Sequence, residues 1–265
     1  MTPTPPIRTP MSRDLLLTLT RGLGLSTGHH LLDICCRDGG ASLLLAAELG
    51  VRVTAIDPDE SALARARASA AAHDLGDQVE FLQMDPRHIE LPVEEYDAVL
   101  ALGGVATAFG LARALERIRV HLRPAGWLIA SDPVYLDSPP PAAVRAWLGD
   151  LTEDDGVPLI EKGNVPSPIV RAVFEAGHLA IGTEAEYRAL LEALGYRTRV
   201  SCLVPESAWA EYFAHGEIDS EDLDNRRREA AAYYGYGGRG VLGYLLAAAQ
   251  RPTLEEEAEE GEQFA

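Results

Sequence analysis

The amino-acid sequence predicts an α/β protein, a mostly parallel sheet covered by helices on both faces. Three observations carry that prediction. Short apolar runs alternate with helix-prone segments from residue 30 to residue 131. The run Tyr96–Leu102 (YDAVLAL) is apolar at nearly every position, as expected of a strand buried on both faces. The composition, 47% apolar and 24% charged over 265 residues, is that of an ordinary globular chain long enough for a sizeable core.

Taken in order, His30–Cys36 (HLLDICC) reads as a buried strand ended by the turn Arg37-Asp38-Gly39-Gly40. Ala41–Leu49 reads as a helix and Val51–Ile56 as a strand ending at Asp57-Pro58. Glu60–His73 is helix-prone through its alanines, and Gln78–Leu82 is a short strand. Leu111, Leu115, Ile118 and Leu122 follow helical spacing, and Trp127–Ser131 is the next strand after the turn Pro124-Ala125-Gly126. Residues 133–183 hold seven prolines between Pro133 and Pro168 and read as a cap inserted over the sheet edge. Tyr187, Leu190, Leu191 and Leu194 restore a helical stripe. Arg197–Val204 and Arg239–Ala249 are the last strands. They lack a full crossover helix, which predicts an antiparallel edge. Residues 1–12, rich in Pro and Thr, read as an untethered lead, and 252–265 as an acidic, disordered tail.

Charge narrows the function. Lys and Arg number 23 against 41 Asp and Glu, a net charge of −18. An acidic body argues against nucleic acid and against an anionic membrane as partners. Three cysteines form no disulfide framework, and the spacings of metal-binding motifs are absent from the sequence, so no metal is expected. The longest nearly apolar stretch, Val99–Ala112, is too short to cross a bilayer. No apolar leader is present, and the expected setting is cytoplasmic.

The sharpest signal is LLDICCRDGG (31–40), where a strand ends and a helix opens. Glycines there let backbone N–H groups approach a ligand closely. Asp57 ends the second strand, 22 residues after Cys35, where a carboxylate can accept both ribose hydroxyls. Asp85 follows Met84 after the third strand, within reach of an adenine amino group. Together these outline a pocket for an adenosine-containing cofactor. The G-x-G-x-x-G register of dinucleotide binders and the phosphate-loop lysine are both absent from the sequence.

On these residues the sequence resembles the class I S-adenosylmethionine-dependent methyltransferases. Leu32-Asp33-Ile34-Cys35-Cys36-Arg37-Asp38-Gly39 is similar to their first motif, Asp57 to the ribose acid, and Met84-Asp85 to the adenine-edge pair. Tyr96–Val99 resembles the fourth-strand motif, and His121–Trp127 the turn before strand five. Segments 186–196, 203–213 and 232–246 are similar to small-molecule enzymes of the ubiquinone and menaquinone type. The resemblance covers residues 13–251. It implies a Rossmann-like, seven-stranded, mostly parallel sheet with an antiparallel edge strand and an inserted cap.

It also implies a small-molecule acceptor and S-adenosylmethionine as cofactor, held by Asp33, Cys35, Arg37, Gly39, Asp57, Pro58, Met84, Asp85 and Ala101. Asp33 and the Ala101 carbonyl would serve the methionine ammonium, with Gly39 beneath the methionine moiety. Cys35 and Arg37 depart from the family pattern, which has glycines there. Arg37 either reaches the cofactor's carboxylate or fills the pocket, and the second case would make the chain an inactive, ligand-binding relative. Taken singly, each acid also fits a turn or helix cap.

Catalytic candidates are sparse. Asp132 and Tyr135 follow strand five at the expected pocket rim, and Asp132 fits a turn cap equally. His178 lies in the cap. The other histidines (His29, His30, His73, His88, His121 and His215) read as surface or helix-face residues. Tyr233, Tyr234, Tyr236, Trp147 and Trp209 read as packing aromatics, or alternatively as a lid beside a sulfonium. Cys35 and Cys36 read as small buried residues. Arg226-Arg227-Arg228 follows three acids and reads as a solvated face.

Overall fold

A computed structural model describes residues 5–103, 110–136, 182–214 and 242–263, with Arg227, Ala230, Tyr234 and Gly240 as isolated positions between the last two stretches. The chain runs α1 (Arg13–Gly22), β1 (His30–Ile34), α2 (Gly40–Leu49), β2 (Arg52–Asp57), α3 (Glu60–Ala72), β3 (Val79–Gln83), β4 (Tyr96–Leu102) and α4 (Leu111–Arg119). It continues through β5 (Leu122–Tyr135), α5 (Glu184–Ala193), β6 (Arg197–Leu203), α6 (Glu206–Ala214), β7 (Leu242–Gln250) and α7 (Leu254–Gln263).

The seven strands form one sheet in the order β3-β2-β1-β4-β5-β7-β6. The first five are parallel. β7 runs antiparallel to both β5 and β6, so the antiparallel strand lies one in from the edge. The strand order reverses between β1 and β4. In an open sheet the crevice at such a reversal, outside the strand C-termini, is where ligands bind.

Alternation along the strands builds two cores. Leu31, Val53, Leu100, Ile129 and Leu246 face α1, α2, α3 and α6. Leu32, Ile34, Val99, Leu128 and Ala247 face α4 and α5. β4 is buried along its whole length except at Asp97, which explains its nearly unbroken apolar run. Helix ends are set locally. Thr183 and Glu186 close a capping box on α5, and Asp59 caps α3.

Three expectations are corrected here. Described residues 5–12 of the lead are packed, not untethered. Ile7 and Met11 are buried, Arg8 pairs with Asp38 at 2.7 Å, and the Pro6 carbonyl lies against Gly40. Prolines leave the segment little backbone entropy to lose, and two apolar anchors suffice to hold it.

Residues 252–263 of the acidic tail are also ordered. Thr253 and Glu256 form a capping box that opens α7. Glu257 meets Arg119 at 2.6 Å and Arg251 at 3.1 Å, and Glu256 pairs with Arg197. Arg251 is buried and also takes Glu94 and the Leu122 carbonyl, both at 2.7 Å. A guanidinium taken out of water needs such partners, and the tail supplies one of them.

Finally, β5 extends to Tyr135, so residues 133–135 belong to the strand and not to a cap. Pairing with β7 as far as Leu242 carries the strand past Pro133. The rest of the expected cap, from residue 137 to residue 181, lies outside the described residues.

Glu257→Ala removes one partner from each of two arginines. It is expected to cost about 1–2 kcal/mol, roughly 2–6 °C in Tm, by thermal unfolding. Glu255→Ala, at an exposed position of the same helix, is expected to leave Tm unchanged.

Candidate functional site

The loop from β1 to α2 lies at the sheet's reversal point. Cys35, Arg37 and Gly39 all have left-handed backbone, with φ of 61°, 51° and 76°. The chain thus keeps the glycine-type conformation at all three alternating positions although only Gly39 is glycine. A side-chain-bearing residue in this region costs about 1–2 kcal/mol, so the surroundings must hold it there. They do so through backbone donors: Cys36 N–H to the Ile56 carbonyl at 3.0 Å, Gly39 N–H to the Cys36 carbonyl at 2.9 Å, and Arg37 N–H to Asp57 Oδ2 at 2.8 Å. The Arg37 side chain is exposed, and Cys35 is half-buried against the second core. Gly39 is different. A Cβ there would meet the Phe81 ring at 2.8 Å.

Asp57 closes β2 and is buried. Its Oδ1 accepts the Asp59 N–H at 2.9 Å while Oδ2 accepts from Arg37. Each oxygen keeps acceptor capacity for a ligand hydroxyl. Met84 N–H donates to the Asp57 carbonyl at 3.1 Å, which ties the third-strand loop to the second. Pro58 is exposed, and its carbonyl accepts from Gln83 Nε2 at 3.2 Å. Asp85 is gripped by the Arg87 guanidinium at 2.7 Å, and this pair holds its carboxyl down at about 2. An adenine amino group would share that carboxylate with Arg87.

Asp33 is buried in β1 and accepts the Ser42 hydroxyl at 2.5 Å. Burial pushes its carboxyl up to about 7 against that hydrogen bond. Burial also pushes the Cys35 thiol up to about 12 and raises that of Cys36, so neither is an activated nucleophile. Ala101 lies near the end of β4, buried, and its carbonyl accepts the Gly103 N–H at 3.2 Å.

The expected cofactor residues therefore gather along the C-terminal ends of β1, β2, β3 and β4. Of the catalytic candidates, Asp132 and Tyr135 lie in β5, which flanks β4. Asp132 lies within β5 on the side of the second core, to which Ala101 also belongs, and its carboxylate accepts the buried Tyr187 hydroxyl at 2.8 Å. The pair is buried, and burial raises the Asp132 carboxyl to about 7. Tyr135 is buried in the same strand. His178, Trp147, Tyr233 and Tyr236 lie outside the described residues. Trp209 packs in the core, edge-on to Tyr244 at 5.7 Å, and Tyr234 is exposed with its ring edge-on to Phe213 at 5.6 Å.

One residue escaped the sequence reading. Asp38 is buried, takes the Arg8 guanidinium on Oδ2, and leaves Oδ1 buried with no hydrogen-bond partner. An acid inside a glycine-bearing turn was the available signal.

Two sets of variants test this geometry. Arg37→Gly and Cys35→Gly are each expected to stabilise the fold by about 0.5–1 kcal/mol, net of glycine's own entropy. Gly39→Ala is expected to destabilise it by about 2 kcal/mol or more, all by urea unfolding. For pH the sign follows from the raised values of Asp33 and Asp132. The native state holds more protons than the unfolded chain between about pH 4 and pH 7, so these acids lower stability as pH rises through that window. Asp132→Asn keeps an acceptor for Tyr187 and is expected to flatten the stability–pH slope there, by urea titrations at stepped pH.

Comparison with known proteins agrees with this geometry. Residues 31–126 match the family model described as a methyltransferase domain. A ribosomal RNA small subunit methyltransferase H of Nostoc punctiforme is 38% identical over 87 residues, which cover 32% of this chain and 28% of that protein. A 27-O-demethylrifamycin SV methyltransferase of Amycolatopsis mediterranei is 32% identical over 124 residues, 47% of this chain and 45% of that protein. The chain thus matches less than half the length of either. Among solved structures, an S-adenosylmethionine-dependent methyltransferase from Geobacter sulfurreducens, in complex with S-adenosylhomocysteine, superposes with a TM-score of 0.67 at 21% identity, covering 92% of each chain. Residues 31–126 therefore resemble a methyltransferase domain, and the chain shares its fold with the S-adenosylmethionine-dependent methyltransferase from Geobacter sulfurreducens.

Proposed function

We propose that the chain binds S-adenosylmethionine at the C-terminal ends of β1, β2 and β4 and methylates a small molecule. The observation that carries the reading is the β1–α2 loop. It holds three left-handed positions of which only one is glycine, and it is hydrogen-bonded to the buried acid that would receive the ribose. Retaining that backbone at a cost in strain is intelligible if a ligand uses its shape.

The residues present fit the cofactor. Asp57 would accept the ribose hydroxyls, with Met84 and Asp85 along the adenine edge. The unpartnered Asp38 Oδ1, with Asp33 and the Ala101 carbonyl, would face the methionine ammonium. Gly39, which tolerates no Cβ, would lie under the methionine moiety. Bound there, the cofactor supplies an activated methyl on a sulfonium, which an acceptor displaces in line. The chain's part is to orient that methyl and exclude water, and a strong general base is needed only for an acceptor that must first lose a proton.

The net charge of −18 favours a small acceptor over a nucleic-acid backbone. The relative that acts on demethylrifamycin points the same way, whereas the ribosomal RNA methyltransferases favour a second reading, methylation of RNA.

Calorimetric titration with S-adenosylmethionine and S-adenosylhomocysteine tests the cofactor assignment. Both are expected to bind, and Asp57→Ala is expected to weaken binding about 5- to 150-fold, the loss of about 1–3 kcal/mol of hydroxyl contacts. No binding of either, or an unaffected variant, contradicts the reading. Labelled methyl transfer to fractionated metabolites and to total RNA separates the acceptor classes.

A further inference from the structure

Among the described residues the buried hydroxyls of Thr9, Ser131, Tyr135 and Thr198 have no hydrogen-bond partner, and all but Thr198 belong to the lead and to β5. Hydroxyls withdrawn from water normally find one, so three near one end of the sheet ask for a cause. Ser131 and Tyr135 alternate with Ile129 on the α2 side of β5, and Ser131 stands between Leu102 and Leu246 of the flanking strands. Gly103 joins them to Thr9. Its N–H donates to the Ser131 carbonyl at 2.9 Å, and a Cβ there would lie 2.7 Å from both Thr9 Cγ2 and the Tyr244 hydroxyl. The same N–H reaches the Ala101 carbonyl at 3.2 Å. Thr9 and Ser131 thus border the end of β4, next to the place assigned above to the methionine end of the cofactor, and Tyr135 lies further along the same face of β5.

We infer that this cluster is the acceptor subsite and that it takes a neutral molecule carrying hydroxyl or carbonyl oxygens. The inference rests on the methyl-transfer reading. The chemistry of the walls sets the class. Leu102 and Leu246 flank Ser131 and Tyr244 reaches Gly103, so the surroundings are largely apolar, and the charges next to Thr9, Arg8 and Asp38, are joined to each other. A carboxylate or phosphate would be desolvated there without a counter-ion of its own. Neutral oxygens would not be, and each protein hydroxyl can both donate to and accept from them. Thr9 brings the ordered lead into the site, which explains why a Pro-rich segment is packed against the cofactor loop.

The test uses the full chain saturated with S-adenosylhomocysteine and two matched probes, methyl 3,4-dihydroxybenzoate and the anion 3,4-dihydroxybenzoate. By calorimetry the ester is expected to bind and the anion to bind at least tenfold more weakly. Ser131→Ala and Tyr135→Phe are each expected to weaken the ester about 5- to 50-fold while leaving S-adenosylhomocysteine affinity unchanged. Without ligand, both variants are expected to raise Tm by about 2–4 °C, because each removes an unpaired buried hydroxyl. Failure of the ester to bind, equal binding of the anion, or unchanged ester affinity in both variants overturns the assignment, as does a fall in Tm for both. Absence of S-adenosylhomocysteine binding overturns the methyl-transfer reading itself and this one with it.

Discussion

The hydrogen bond from the Arg37 N–H to the Asp57 carboxylate, 2.8 Å long, is the constraint on which the site depends. It ties the β1–α2 loop to the end of β2 and holds Arg37 in a backbone conformation its side chain disfavours. One acid thereby has two tasks. It fixes the loop's shape and presents a buried acceptor at the sheet's reversal point. The strain at Cys35 and Arg37 is offset by these contacts and by the close fit of Gly39 against Phe81.

Around that constraint the charges fall into two classes. Some hold structure: the Arg119, Arg251 and Glu257 cluster fastens α7 to the sheet, and Tyr187 satisfies Asp132 inside the second core. Others sit at the crevice with capacity left over: Asp57 with both oxygens singly used by backbone donors, and Asp38 with one oxygen unused. The division separates acids whose acceptors the fold uses up from acids that keep some unused. It also places the lead segment among the functional parts, since Arg8 fixes Asp38 and Thr9 borders Gly103.

Much of this was legible in the sequence, for identifiable reasons. Strand–helix alternation and the apolar run of β4 carried the fold. The order of Asp33, Asp57 and Met84-Asp85 pointed to the C-terminal ends of β1, β2 and β3, and those residues lie at or near them. What misled was composition standing in for contacts. Prolines in the lead suggested a loose segment, yet Ile7 and Met11 anchor it. The run of glutamates hid the Thr253-x-x-Glu256 cap that starts α7. Asp132-Pro133 looked like the end of a strand, although pairing with β7 carries β5 on to Tyr135. The unpaired oxygen of Asp38 and the unpaired hydroxyls of Thr9, Ser131 and Tyr135 are tertiary facts, invisible until the chain is folded.

The most direct measurement is a crystal structure grown with S-adenosylhomocysteine. The account predicts density for the adenosyl group with its ribose on Asp57, left-handed backbone at positions 35, 37 and 39, and the Arg37 guanidinium outside the pocket. Density for that guanidinium in the ribose or methionine space, with no bound nucleoside, would contradict it.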